Sequence, residues 1–357
     1  STHLEVAPML RYNNTPIRGD IYANKKQRDH QDLNRLRRAW ARPETIVVND
    51  WCWNALAQHA DIVLPCTTPL ERNDITLSPR DPFLIMMDKA LEPAGQARDD
   101  YAIFIGIAQH LGIEEKYTEG RSAEEWIRWL YEASRQSSAE ANVDLPPFNE
   151  LRAKGWHKLP EPKTPHIMLE NFRADPETHK LHTPSGKIEI YSERIASFGY
   201  NDCPGHPSWI EPVEWLGRAN EGQIHLISNQ PKNKLHSQLD HGPLSQKSRI
   251  AGYEPALLNP EDAGARGIEQ HNIIKVYNER GASLCVAVIS EDIRAGVIQI
   301  STGAWLDTEG DTGLCRKGNP NVLSLDKGTS KLAQGPIAHS CLVDIELAEI
   351  NQLRKKC

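Results

Sequence analysis

Apolar residues follow two rhythms along this chain, and the change between them divides it. Up to about residue 215, short β-branched runs alternate with stretches at helical spacing. Residues 31–42 place Leu33, Leu36 and Trp40 on one face of a basic helix, with Pro43 just past its end. Residues 45–48 (TIVV) read as a strand that ends in Asn49 and Asp50. Residues 53–60 read as a short helix, and 62–64 as a second strand stopped by Pro65. Residues 99–111 form a capped helix closed by Gly112, and 123–135 form another with Trp126, Trp129 and Leu130 buried. Residues 136–161 are polar and contain proline, the pattern of a loop; 185–191 read as a strand, and 202–215 as a packed connector. Strand, helix and strand joined by short links predict an α/β region containing part of a doubly wound parallel sheet.

From about residue 223 the strands dominate. They are expected at 224–227, 273–277, 283–289 and 297–300, with NERG at 278–281 as a hairpin turn and 259–267 as a Pro-led helix closed by a glycine. This pattern predicts a mostly-β closed barrel of Greek-key or related, double-psi-like, kind. Residues 318–335 form a long polar loop region near the end. The expected division is an α/β region over 1–215 and a β-barrel domain over 216–357.

Composition narrows the function classes. A chain of 357 residues with 39% hydrophobic and 25% charged residues has the make-up of a globular protein with more than one core. A net charge of −7 argues against a sequence-independent nucleic-acid binder. No apolar run approaches the roughly 20 residues a membrane helix needs. The seven cysteines include no C-x-x-C pair, which argues against a zinc knuckle or an iron–sulfur loop and suggests reduced, mostly buried thiols. His206 stands alone and reads as structural.

The candidate chemistry lies where strands stop. Residues 226–238 (LISNQPKNKLHSQ) end a strand in a dense set of donors and acceptors: Ser228, Asn229, Gln230, Lys232, Lys234, His236, Ser237 and Gln238. Such a loop is either a solvated surface turn or a seat for a ligand rich in ring nitrogens, carbonyls and phosphates. In doubly wound sheets ligands sit beyond the carboxyl ends of the strands. Asn49 and Asp50 occupy one such end, and residues 67–74 (TTPLERND), with Arg72, the next. Asp50 also suits a helix cap, and 71–74 a surface turn.

Four stretches resemble one family. HADIVLPCTTPLERNDI, LHTPSGKIEIYSERIASFGYNDCPGHP, LISNQPKNKLHSQLDHG and NVLSLDKGTSKLAQG are similar, in this order, to the C-terminal half of the dimethyl sulfoxide reductase family of molybdenum enzymes. The branch they resemble most is the single-subunit trimethylamine-N-oxide, dimethyl sulfoxide and biotin sulfoxide reductases. The likeness runs from about His30 to about Glu349. It implies a bis(molybdopterin guanine dinucleotide) cofactor around one molybdenum, and oxygen-atom transfer from an S- or N-oxide. It implies cofactor contacts at His30, Gln31, Asn49, Asp50, Arg72, Asp100, Ser228, His236, Ser237, Gln238, Asn321 and Gln334. The family's molybdenum-coordinating serine belongs to a region without a counterpart here, so the resemblance implies no metal ligand or catalytic residue in this segment. The implied partners are the N-terminal half of the same enzyme, a small oxide and an electron donor, either a c-type cytochrome or a small reductant. Without that half the segment is expected not to turn over. Two other readings stay open: a non-catalytic pterin-nucleotide binding module, and a formate or nitrate dehydrogenase-type relative.

Overall fold

A computed structural model describes residues 31–78, 81–161, 167–308, 310 and 312–348. His30 lies outside the described residues. The described residues form two compact units, one within 45–180 and the other from 31–44 together with 181–348.

In the first unit, β1 (Val47–Asp50) and β2 (Ile62–Pro65) pair in parallel, with Val47 opposite Ile62 and Asp50 opposite Pro65. This pair is the doubly wound element. The helix expected at 53–60 is only the 3-10 turn Ala57–His59. Asn54 explains the difference. Its buried side-chain oxygen accepts from the Leu56 and Ala57 N–H groups, each at 3.0 Å, the bonds of a cap, so that no helix begins before residue 55.

A second, antiparallel sheet joins β3 (Asp74–Leu77), β4 (Phe83–Met87) and β5 (Trp156–Lys158). Helices Ala123–Glu140 and Phe148–Lys154 supply its core, in which Leu84, Met86, Ile127, Tyr131, Leu145, Phe148 and Leu151 pack together. The loop expected over 136–161 is therefore corrected to helix and strand. Phe148 and Leu151 lie one helical turn apart and are wholly buried, and the Tyr131 hydroxyl donates to Pro146 O at 2.5 Å. Trp129 is not buried either; it is 45% exposed, with the Arg121 guanidinium 5.3 Å from its ring. Helix Asp100–His110 starts as expected, with Asp99 accepting from the Ala102 N–H at 2.8 Å.

The second unit contains the barrel. Its strands are β6 (Ile224–Ile227), β7 (Pro255–Leu258), β8 (Ile273–Asn278), β9 (Gly281–Ile289), β10 (Val297–Ile300) and, after the short β11 (Leu314–Cys315), β12 (Leu342–Leu347). Hydrogen bonding runs β9-β7-β10-β6-β12-β8 and returns from β8 to β9, so six strands close the ring. β6 and β10 are parallel, as are β7 and β9; the other pairings in the ring are antiparallel. Closure removes the edges a sheet would otherwise leave unpaired. Alternate residues fill the interior, among them Leu226, Leu258, Ile274, Val276, Ile298, Ile300 and Val343. The NERG hairpin forms as expected, pairing Asn278 with Gly281.

Residues 181–215 depart from expectation. Residues 185–191 form no strand, and Ile188 and Ile190 are 65% and 80% exposed. The Thr183 hydroxyl donates to Lys187 O at 2.6 Å, and Glu189 accepts from the Ser185 N–H at 2.9 Å, so local bonds close this stretch into turns. Residues 202–215 are packed only in part: Gly205 is buried and its carbonyl accepts from the Ser192 N–H at 2.6 Å, but Trp209 is 80% exposed. What ties them to the barrel is Glu214, which accepts from both Arg280 Nη atoms at 2.6 and 2.8 Å and from the Leu342 N–H at 2.8 Å.

Helix Leu33–Trp40 packs with the barrel unit. The amide of its buried Asn34 donates to Arg280 O at 3.0 Å and Gly313 O at 3.1 Å. Asn34→Ala would take this donor from Arg280 O and leave Gly313 O with the Ala282 N–H alone, and an unfolding titration in urea should show a loss of about 1–3 kcal/mol. A variant with an unchanged midpoint would show that these bonds are not holding the helix.

Candidate functional site

Two polar clusters emerge, one in each unit. In the first, parallel pairing sends the carboxyl ends of β1 and β2 to the same edge. The chain after β2 then bonds to the start of a helix: Arg98 N–H donates to Pro65 O at 3.1 Å and Thr67 N–H to Arg98 O at 3.0 Å. These bonds place Asp100, at the first turn of its helix, beside Asn49, Asp50 and Arg72. Four residues expected from sequence therefore come together.

Each has a distinct state. Asp50 is buried and accepts from the Trp51 N–H at 2.8 Å and the Asn54 amide at 2.5 Å. Arg72 donates to Asp74 at 3.2 Å and lies 3.5 Å from Thr67 O. The Asp100 carboxyl is pushed up by burial and by the charges of Asp99 and Asp50, against the pull of Arg72 and the Asn49 amide. Asn49 Nδ2 and Thr67 Oγ1 are buried without a hydrogen-bond partner of ordinary geometry. Buried polar atoms of this kind cost free energy unless a ligand or water serves them. Burial and then the Asp50 charge push the Cys52 thiol up to about 11, which disfavours its thiolate.

The second cluster rims the barrel. Because β6 and β10 are parallel, the loops after them leave the same end. Thr302 N–H donates to Asn229 O at 2.9 Å, and the Asn229 side-chain oxygen accepts from Gln299 at 3.0 Å and Ser301 at 2.9 Å. Asn319 extends the rim: its amide donates to Ala304 O at 2.7 Å and its oxygen accepts from the Asn321 N–H at 2.9 Å. Ser228 N–H donates to His339 Nδ1 at 3.3 Å. Gln31 is buried and joins the neighbouring backbone. With its amide oriented to satisfy both ends, it accepts from the Ile337 and Ala338 N–H groups at 3.1 and 2.7 Å and donates to Leu325 O.

Ser228, His236, Ser237, Asn321 and Gln31 thus belong to one connected rim. The Ser228 and Ser237 hydroxyls are buried with no partner. His236 adopts φ +53°, and Gln238 is exposed at the tip of the loop. Gln334 stands apart, because its amide is used inside its own loop, on Ser330 O at 2.6 Å and Lys331 O at 3.3 Å. Four residues underpin the rim, of which sequence reasoning saw only Lys234, as one of the polar loop. Lys234, Asp240, Arg249 and Glu254 form a buried ionic cluster. The available signal was Glu254, a charge set directly before the apolar run PALL.

Each cluster, taken by itself, offers groups that fit part of a pterin dinucleotide. Amides, hydroxyls, an imidazole and carboxylates match its heterocycles, and Arg72 matches a phosphate. Among the described residues no group of three or more His, Cys, Asp or Glu side chains gathers as a metal site, and no helix is long and apolar enough to cross a membrane.

Comparison with known proteins agrees with this chemistry. Residues 224–342 match the family model described as Molydopterin dinucleotide binding domain, and residues 10–110 match Molybdopterin oxidoreductase. The chain is 45% identical over 318 residues to biotin sulfoxide reductase of Cereibacter sphaeroides, covering 89% of this chain and 43% of that protein. It is 43% identical to the dimethyl sulfoxide/trimethylamine N-oxide reductase of the same organism, covering 89% of this chain and 39% of that protein. It is 39% identical to trimethylamine-N-oxide reductase of Haemophilus influenzae, with 89% and 40% covered. The solved structure of acetylene hydratase from Pelobacter acetylenicus shares the fold, with a TM-score of 0.67 at 21% identity over 89% of this chain and 42% of that one. The chain spans about two-fifths of the length of the curated relatives it matches. It belongs to the dimethyl sulfoxide reductase family of molybdopterin oxidoreductases and matches the C-terminal part of that family.

Proposed function

We propose that this chain is the C-terminal segment of a molybdenum-dependent S- or N-oxide reductase and binds its bis(molybdopterin guanine dinucleotide) cofactor. In this reading residues 216–357 are the dinucleotide-binding barrel domain and 1–215 the rest of the α/β cofactor-binding region. The observation that carries it is the set of buried, unserved hydroxyls, Thr67 Oγ1, Ser228 Oγ and Ser237 Oγ, inside clusters composed for such a ligand. Asn49 and Asp50 would hold a guanine edge, Arg72 a phosphate, and Ser228, His236, Ser237 and Asn321 the pterin side. Gln334 would need to release its own loop and Gln238 to turn in from its exposed position to join them, and His30 is assigned by resemblance alone. When bound, the molybdenum supplies two-electron oxygen-atom transfer. The residues here bind and orient the group that does this.

The electron donor would be a c-type cytochrome or a small reductant. The test is expression of the chain alone and joined to an N-terminal half like that of its relatives. Molybdenum and acid-released guanine nucleotide are then measured beside reduction of trimethylamine N-oxide, dimethyl sulfoxide and biotin sulfoxide. The joined protein should reduce at least one oxide, and the chain alone none. Cofactor retention without turnover in the joined protein would instead make this a binding module. In the joined protein Asp50→Asn should lower nucleotide content about tenfold, since a charged acceptor contributes roughly 1.5–3 kcal/mol to a hydrogen bond. Unchanged content would remove Asp50 from the site.

A further inference from the structure

Inside the loop at 234–240 the backbone turns back through a bridge between Leu235 and Gln238, whose N–H donates to Leu235 O at 2.9 Å. Leu235 and Leu239 are 68% and 54% exposed, so no apolar anchor fixes it. His236 and Leu239 have φ of +53° and +55°, a left-handed conformation that costs free energy in side-chain-bearing residues. Yet the residues at its two ends are almost sealed from solvent. Lys234 Nζ meets Asp240 Oδ1 at 2.9 Å, with the side chains 0% and 3% exposed. Arg249 donates to both Asp240 oxygens at 2.9 and 2.8 Å and to Glu254 at 2.8 Å, and Lys234 also donates to Glu254. Two cations and two carboxylates balance.

We propose that the Lys234–Asp240 ion pair is a clip that closes this loop and presents His236 and Ser237 to the cofactor. Both are positioning residues. The clip reaches the rim by two routes. Asp240 accepts from the Trp305 N–H at 3.0 Å, and the Trp305 indole donates to Ser237 O at 2.7 Å. The backbone at Ser237 and the loop after β10 are therefore fixed to one carboxylate. A hydrophobic set of similar volume would hold a fold as well or better, so an ionic set here suggests a demand for one loop conformation. This inference rests on the proposed cofactor reading, and its test separates the two.

The first measurement is amide hydrogen exchange of the ligand-free 357-residue chain. In Lys234→Met and Asp240→Asn, amides of 235–241 should exchange at least about tenfold faster, while those of β8 and β9 keep their protection. Lys234→Arg, which keeps the charge, should restore loop protection to within a few-fold of wild type. The second measurement is molybdenum and pterin content of the joined enzyme, which the clip variants should lower about tenfold or more. Loop exchange that is unaltered, or equally fast with Lys234→Arg, overturns the clip. Fast loop exchange with full cofactor content overturns its role in presentation. Should His236→Ala and Ser237→Ala also keep full content, the cofactor reading of the rim fails, whatever the clip does. If Lys234→Met unfolds the barrel, the isosteric Asp240→Asn variant decides.

Discussion

Arg249→Met is expected to destabilise the barrel unit by about 3–5 kcal/mol. Arg249 and Lys234 together balance Asp240 and Glu254, and all four side chains are no more than 5% exposed. Removing one cation leaves a net buried negative charge with no solvent to screen it. Exposed ion pairs in this chain, such as Lys89 with Glu92, carry no comparable penalty, because water replaces the lost partner. The measurement is the exchange-derived opening free energy of β8 and β9 amides, which reports the barrel without the other unit. The double variant Arg249→Met with Glu254→Met keeps Lys234 opposite Asp240 and should recover more than half of the loss. A single-variant cost below about 1 kcal/mol would mean that water reaches the cluster. Acid gives a second view. Burial pushes the Asp240 carboxyl up, but the Lys234 charge and hydrogen bond, the Trp305 N–H and Arg249 outweigh it and hold the pKa below its usual value. A depressed native pKa means that the stabilisation is complete above the unfolded value of about 3.9 and is lost as pH falls through the native one. Barrel stability should therefore decline below about pH 4, and Asp240→Asn should flatten that decline.

The rim and strand-end residues were legible because their chemistry is local. A strand that stops in Asn49–Asp50, or in a run such as SNQPKNKLHSQ, declares its donors in sequence, and parallel pairing then brings the ends to one edge. Helix Asp100–His110 and the NERG hairpin were legible for the same reason, through a cap and a turn. Non-local features were not. β7 and β12 are short apolar runs whose identity as strands depends on partners more than 30 residues away. Residues 185–191 carry a strand pattern, but side-chain bonds within the stretch close it into turns. The Phe148–Lys154 helix was hidden by the prolines before it, which start rather than prevent it. Lys234 looked like one more polar loop residue, because the charges that bury it come from positions 240, 249 and 254. Gln334 looked like a rim amide, and only the structure shows it bonded to its own loop.

Gly303→Ala should disrupt the loop that carries His236 and Ser237. Gly303 follows β10 with φ +104°, a region that side-chain-bearing residues avoid. A Cβ added there would lie 2.0 Å from His236 O and 2.8 Å from the His236 carbonyl carbon, which is backbone and cannot swing aside. Relief requires either the 234–240 loop or the 301–305 loop to move, and Trp305 bonds the two together. Strain and overpacking together should cost about 2–5 kcal/mol. Gly267→Ala is the control for the backbone term alone: its φ is also positive, at +63°, but nothing lies within 4 Å of its added Cβ. Its cost should stay near 1 kcal/mol. Exchange rates should rise across 234–241 and 301–305 in Gly303→Ala and stay at wild-type values there in Gly267→Ala. Equal costs in the two variants would show that the close approach at His236 is not what requires glycine. If the approach does require it, no side chain at 303 can be accommodated while the loop keeps its position, and the rim is built around a backbone contact too close to admit one methyl group.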